Sequence, residues 1–374
     1  MRQVGAAAKR MLKEIAYWVL MLSGLAWVAA RLNRRKALVL LYHGVDAGTL
    51  HPVMNFDGLH VRRDLFERQM RHLAAHYHVV TLDALLNSGA GAAGKPLAAI
   101  TFDDGYRNLH RHAYPELKRL ALPATIFVIS DYFQYGRARW WDRMRAMVAA
   151  TQLPAVRVPI QGTARWFRLA TVADKRATLR VLARELQGLP PQQREALLSR
   201  LAADLGVEEH KLQTSRPLSA NQLREMAKDG ISVGGHGRSH DSFLHLSREQ
   251  LLAELTDSKR VLESVMQRPV HWLAFPYGDF SPEVMKVVIE AGYRGAVTTI
   301  EGLNDGIPNR FAIRRIGVDD NMTLAHFIVT VSGLRDFLKG VLRACRCWRS
   351  PFASMAPGWP ERRHAAYVRD RGEV

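Results

Sequence analysis

The chain has 374 residues, 48% of them hydrophobic and 24% charged, a balance that excludes disordered, collagen-like and low-complexity classes. Two cysteines, Cys345 and Cys347, exclude a disulfide framework and a cysteine-built zinc finger, whereas fifteen histidines leave imidazole-built metal sites open. The formal charge of +18 gathers at the ends, with +7 in residues 1–36 and +3 in residues 345–374. Beside apolar stretches this suits an anionic membrane surface better than nucleic acid, because no basic patch with interleaved aromatics and no reading helix is present.

Residues Ile15 to Ala30 form a run of sixteen without a charge. As a helix the run spans about 24 Å, short of the ~30 Å hydrocarbon core. Lys9, Arg10 and Lys13 precede it and Arg31, Arg34, Arg35 and Lys36 follow it, so the flanks set no orientation. Three readings stand: a short signal anchor, a helix lying in the interface, and a helix packed on the domain. Trp18 and Trp27 suit the headgroup level and favour membrane association.

From residue 37 the pattern alternates. Ala37–Val45 reads as a buried strand, Arg63–Ala75 as a helix, His78–Thr81 as a short strand and Leu82–Leu86 as a helix start before a Gly/Ala-rich loop. Leu97–Phe102 is a second buried strand, Tyr114–Leu120 continues a helix, and Ala124–Ile129 is a third strand. Residues from about 135 to 216 break the rhythm, with a hairpin (Arg157–Ile160 and Arg165–Leu169) and helices at 171–188 and 191–205. The alternation resumes with helices at 219–229, 247–266 and 281–291 and strands Ile231–Val233, His271–Ala274 and Gly295–Thr298. Strand–helix alternation predicts an α/β fold with a parallel sheet or barrel, 135–216 being an insertion on it. His326–Arg346 reads as one amphipathic basic helix, open to packing or to membrane contact. The proline-containing tail from Trp348 is expected to be poorly ordered.

Three stretches carry chemistry. In Thr101-Phe102-Asp103-Asp104-Gly105-Tyr106, two adjacent carboxylates end an apolar strand, where they are costly unless paired. One can bind a metal while the other stays free as a base; a helix cap beside a solvated partner is the alternative. Strand C-termini are where α/β folds build active sites. In Gly234-Gly235-His236-Gly237-Arg238-Ser239-His240, the two histidines converge if the loop makes one helical turn. Two imidazoles and one carboxylate make a hydrolytic metal set with open positions. Phe275-Pro276-Tyr277-Gly278-Asp279 is a loop whose backbone N–H groups can face a developing oxyanion, or else an ordinary turn.

TFDDGY, HGRSH and FPYG in that order resemble the polysaccharide deacetylases, the NodB-homology or carbohydrate esterase family 4 group. The entry LLYHGV, the stretch Leu218–Leu246 and Arg314-Arg315-Ile316-Gly317-Val318 add to the resemblance, which covers about residues 37–320. It implies a distorted (β/α)7-type barrel, circularly permuted relative to many members, with the inserted hairpin-plus-helices segment. It also implies a divalent metal, usually zinc with cobalt and nickel compatible, and hydrolysis of N-acetyl groups on glycans. Carried over, Asp104, His236 and His240 bind the metal and Asp103 is the general base for the attacking water. The backbone N–H of Tyr277 stabilises the oxyanion, and a histidine in a Leu-x-His pattern protonates the leaving amine. Leu41-Tyr42-His43 and Leu324-Ala325-His326 both fit that pattern, and His43 is preferred.

Two departures stand out. Gly235 and Gly237 flank His236 where many members have Ser or Thr, which is expected to loosen the loop. The arginine that many members carry before the Pro-Tyr-Gly turn is missing from Leu273-Ala274-Phe275, and Arg314 or Arg315 is proposed to replace it. The domain reading is a membrane-associating segment at 1–36, a deacetylase-like domain at 37–325, a helix at 326–347 and a tail at 348–374. The expected partners are an N-acetylated glycan and an anionic membrane surface. The competing readings are an enzyme on a lipid-linked sugar and a catalytically silent carbohydrate-binding member of the fold.

Overall fold

The computed structural model describes residues 2–48, 51–87, 94–136, 138–160, 162–212 and 214–348. The expected tail beyond 348 and most of the Gly/Ala-rich loop lie outside these residues. Twelve strands follow one another: β1 (Leu38–Tyr42), β2 (Gly44–Asp46), β3 (His60–Arg62), β4 (His78–Val79), β5 (Leu97–Phe102), β6 (Ala124–Val128), β7 (Ala155–Ile160), β8 (Thr163–Arg168), β9 (Ile231–Gly235), β10 (Trp272–Ala274), β11 (Gly295–Val297) and β12 (Ile316–Gly317). Seven of them form one parallel sheet in the order β11-β10-β9-β6-β5-β1-β12, and β4 pairs with β5 off this path. The residues of β1, β5 and β6 are all buried, as expected of strands covered on both faces.

The sheet curls into a barrel-like wall, and one segment reaches both of its edges. Ile313 bridges Val297 of β11 in parallel, and three residues later Ile316 and Gly317 of β12 register with Leu40 and Leu41 of β1. The main core, around Leu40, Phe66, Phe102, Leu255, Leu273 and Phe327, packs helices against this wall.

The segment after Tyr135 builds the expected hairpin, β7 against β8 antiparallel, and then helices Val172–Gln187 and Pro191–Asp204. These elements bury their own cluster around Met147, Val158, Leu182 and Leu198, closed by Val53 and Phe56 from the loop after β2.

Three expected elements differ. The single strand expected over Ala37–Val45 is interrupted at His43, and Gly44–Asp46 leaves the main sheet to pair with His60–Arg62. The helix expected at His326–Arg346 is two helices, Leu324–Val331 and Leu334–Trp348, because Gly333 takes a left-handed φ of +81° between them. In the first of these the apolar faces are buried, so packing wins there. The uncharged N-terminal run is not one straight helix either. The helices Arg2–Leu22 and Leu25–Leu32 break at Ser23-Gly24, with Met11–Leu22 and Leu25–Leu32 bent by 66°, and among the described residues no single helix is long and apolar enough to cross a membrane.

Candidate active site

The three chemical stretches all lie at the C-terminal ends of parallel strands: Asp103-Asp104 after β5, His236–His240 from the end of β9, and Phe275–Asp279 after β10. In the sheet β5 neighbours β6, β6 neighbours β9 and β9 neighbours β10, so residues far apart in sequence share one rim.

There Asp104, His236 and His240, all buried, bring one ligand atom each within 4.8 Å of one another. Asp104 Oδ1 lies 3.6 Å from Nε2 of each histidine. That oxygen is buried and has no hydrogen-bond partner, a costly state that a cation relieves. His236 donates from Nδ1 to the Ala274 carbonyl at 2.8 Å, which leaves Nε2 free to ligate. Burial, and then His236 beside it, push His240 well below its ordinary value, so its ring is neutral, the form that binds a metal. Burial pushes the Asp104 carboxyl up. The Arg139 guanidinium, 3.1 Å from Oδ2, and the surrounding imidazoles outweigh it and hold the carboxyl well below the usual carboxylate range. The donor set fits a divalent cation.

Asp103 stands beside this set with Oδ2 3.9 Å from His236 Nε2. Arg315 donates to both of its oxygens, Nη1 to Oδ1 at 2.7 Å and Nη2 to Oδ2 at 2.8 Å. Burial raises the Asp103 carboxyl, but the Arg315 charge and hydrogen bonds lower it further, so it stays ionised. Of the two arginines proposed as the missing partner, Arg315 fills the role; Arg314 points to solvent and packs beside Gly302.

The backbone here is held in unusual conformations. Asp104 (φ 76°), His240 (φ 64°) and Tyr277 (φ 58°) are left-handed without being glycine, and such strain clusters at functional sites. The His236–His240 loop forms no helical turn, contrary to the expectation from its spacing; bends and the left-handed His240 bring the rings to 4.6 Å.

Nor do the flanking glycines loosen the loop. A Cβ at Gly235 would lie 2.5 Å from the Tyr293 hydroxyl, so only glycine fits there. Glu254 Oε1 accepts from the backbone N–H groups of Arg238 and Ser239, both at 2.7 Å, and Ser258 donates to the Gly237 carbonyl at 2.9 Å. Ser242 then donates to Asp279 at 2.7 Å and ties this loop to the Phe275–Asp279 turn.

His43 sits half-buried in the break between β1 and β2. Burial pushes its ring down, while Asp104 and Asp103 act on it in the opposite sense. The rival His326 is stacked on Tyr17 of the N-terminal helix, with ring centroids 4.0 Å apart.

Residues without a sequence motif complete the rim. Trp141 packs on His240 with centroids 4.8 Å apart and donates to the Tyr106 hydroxyl at 3.2 Å. Arg139 stands 3.8 Å above the Tyr106 ring and 4.2 Å from that of Tyr132. From the insertion, Arg194 reaches Asp241 at 2.5 Å. A lone Arg139-Trp140-Trp141 string gives no periodic or spacing signal, so only the fold reveals this contribution.

The sequence matches the polysaccharide deacetylase family over residues 90–152 and 202–296, so the match leaves out β7, β8 and the helices between them and residue 202. A Bacillus subtilis (strain 168) protein described as a polysaccharide deacetylase, YxkH, is 21% identical over 313 residues, covering 83% of this chain and 81% of that one. Among solved structures, the Streptococcus pyogenes deacetylase PplD in complex with acetate aligns with a TM-score of 0.55 and 19% identity, over 79% of this chain and 98% of that one. IcaB from Ammonifex degensii aligns with a TM-score of 0.51 and 18% identity, over 80% and 97%. At these identities the two structures speak for the fold, a curled parallel sheet. With Asp103-Asp104, the histidine pair and the Tyr277 turn gathered on its rim, the chain belongs to the polysaccharide deacetylase family.

Proposed function

We propose that the protein is a metal-dependent hydrolase that removes N-acetyl groups from a polysaccharide, releasing acetate and leaving the free amine. One observation carries the reading: the unpartnered Oδ1 of Asp104 faces two imidazole nitrogens, while Asp103 is held apart and ionised by Arg315. Asp104, His236 and His240 would hold zinc, or cobalt or nickel. A divalent cation there supplies Lewis-acid polarisation of the acetamide carbonyl and lowers the pKa of water. Asp103 takes the proton of the attacking water. The turn uses the N–H groups of Gly278 and Asp279 internally, donating to the Phe275 and Pro276 carbonyls at 2.9 and 3.0 Å. The N–H of Tyr277 faces the carbonyl oxygen as charge develops on it. His43, whose ring feels the charges of Asp104 and Asp103, delivers the proton to the departing nitrogen once it carries one. The test is acetate release from a panel of acetylated glycans, with and without chelator, by the native chain and Asp103→Asn. Stoichiometric metal with no acetate from any glycan would favour a silent carbohydrate-binding protein, and acetate from lipid-linked sugars alone would favour the lipid-linked reading.

We also propose that the protein is held on an anionic membrane surface by helices lying in its plane. The helix Arg2–Leu22 packs Tyr17, Leu20 and Met21 toward the domain and turns Met11, Leu12, Ile15, Trp18, Val19 and Leu22 outward. Trp27 and Leu32 of the next helix and Phe337 and Leu342 of the last described one are also exposed. Lys13, Arg31, Arg34, Arg35 and Lys36 border this surface in sequence and suit anionic headgroups. Flotation with phosphatidylcholine vesicles is expected only when phosphatidylglycerol is included and is expected to fail in Trp18→Glu/Trp27→Glu; equal binding to both vesicle types would refute the electrostatic part.

A further inference from the structure

A cleft of about 920 Å³ opens beside the active site, lined among others by Asp46, Arg107, Arg111, His112, Lys211 and Arg216. Its charge is lopsided. Lys211 pairs with Glu208 at 2.7 Å, and His110, also in the wall, pairs with Glu225 at 2.9 Å. Arg107, Arg111 and Arg216 are exposed, and no carboxylate among the described residues pairs with any of them. Asp46 is the single acid among the described residues of the lining. Three unneutralised guanidinium groups around one concavity repel one another, and an anion entering between them removes that cost. Two buried polar atoms of the lining residues, His112 Nδ1 and Asn108 Oδ1, also lack hydrogen-bond partners.

The lining of the cleft follows directly on the strand ends that carry the site. Asp46 stands three residues after His43, and Arg107 three after Asp104. Asp46 and Asn108 both approach His60 Nδ1, at 3.6 and 2.9 Å. The His60 ring meets Tyr106 at 4.6 Å, Tyr106 carries Arg139 at 3.8 Å, and Arg139 contacts Asp104 at 3.1 Å. Four contacts thus link the lining of the cleft to the candidate metal ligand.

We infer that the cleft binds carboxylate groups of the substrate, so that the glycan is an acidic one, with uronate-type residues near the acetamido sugar presented to Asp103. The inference rests on the deacetylase reading for what happens at Asp103 and on the cleft alone for the charge preference. The guanidinium fork matches a planar carboxylate, and neither a neutral nor an amino-bearing chain uses it.

Binding to the full chain, read by calorimetry, tests it. The probes are a hexasaccharide alternating glucuronate with N-acetylglucosamine, the neutral N-acetylglucosamine hexamer, and the same hexamer after removal of its acetyl groups. The acidic probe is expected to bind at least about tenfold more tightly than the neutral one, and the de-acetylated one most weakly. The preference should shrink as salt rises from about 50 to about 500 mM. Arg107→Gln and Arg216→Gln should each reduce the acidic-to-neutral preference by about fivefold or more, with lysine at either position restoring part of it. Unchanged melting temperatures, expected for exposed positions, separate lost binding from lost folding. A preference near one, or one that survives in the double variant, overturns the inference. Acetate release from neutral chains alongside a preference near one sinks the inference and leaves the deacetylase reading standing. An acidic preference with no acetate from any glycan does the reverse.

Discussion

Arg315 grips both oxygens of Asp103 from the opposite end of the domain, 212 positions away in sequence. Arg315 is fully buried, donates from Nε to the Thr298 carbonyl at 2.8 Å and from Nη1 to Thr101 Oγ1 at 3.1 Å, and so is fixed in orientation. Arg315→Met leaves Asp103 buried and unpaired, at a cost of about 3–5 kcal/mol. The carboxyl of Asp103 then rises, because the charge that lowers it is gone while burial stays. The acid limb of kcat/KM is expected to move up by a pH unit or more, with Arg315→Lys giving a smaller shift. An unmoved pH–rate profile in a folded Arg315→Met variant would refute the assignment.

Adjacent aspartates are expected to fail differently. Asp104→Asn removes the one anionic member of the ligand set and should lose bound metal on dialysis. Asp103→Asn should keep its metal and lose acetate release by about a hundredfold or more. Metal content by elemental analysis, set beside the rates, separates the two.

Glu254 touches no expected ligand, yet its carboxylate caps the loop between the histidines at the Arg238 and Ser239 N–H groups. Glu254→Ala leaves both donors without their acceptor, so about 2–3 kcal/mol of stability is expected to go. Metal affinity should fall by about tenfold to a hundredfold, as for other groups that orient ligands. Glu254→Gln, which keeps an acceptor oxygen, should restore much of the affinity. Equal metal affinity in all three proteins would show the loop to be self-supporting.

The helix Arg63–His76 carries a pH-sensitive element of stability. Burial first, then neighbouring His76, push His72 down to about 4. Its ring sits 4.6 Å from that of His76 and 6.1 and 6.2 Å from Tyr77 and Phe327. Between pH 6.5 and 4 the unfolded chain therefore binds a proton that the folded chain refuses, and stability falls as pH falls through that window. The expected loss is about 1 kcal/mol after allowing for partial exposure. His72→Phe should flatten this part of the urea-unfolding profile, and an identical pH slope in that variant would exclude His72 as its source.

The aspartate pair and the histidine pair gathered on the rim were legible in sequence because each lies in a short contiguous string at a strand end, and parallel alternation brings those ends together. What sequence could not do was choose between Arg314 and Arg315. Neighbours on an extended segment face opposite ways, and only the pairing of Ile316 with Leu40 decides which faces the interior. The interruption at His43 and the break at Gly333 escaped for a related reason: both lie inside apolar runs whose periodicity continues across them, and tertiary packing overrides it. Arg139, Trp141 and Glu254 belong to helices or their approaches, where nothing local marks a residue that reaches the rim.

The segment from Ile313 to Gly317 meets both edges of the curled sheet, and Arg315 lies at its midpoint. During synthesis it is the last piece of the wall to emerge. A nascent chain ending at about residue 310 holds both aspartates and both histidines, but lacks the cation that keeps Asp103 ionised. Closure of the wall and the ion pair at Asp103 therefore arrive together, in one late stretch of five residues.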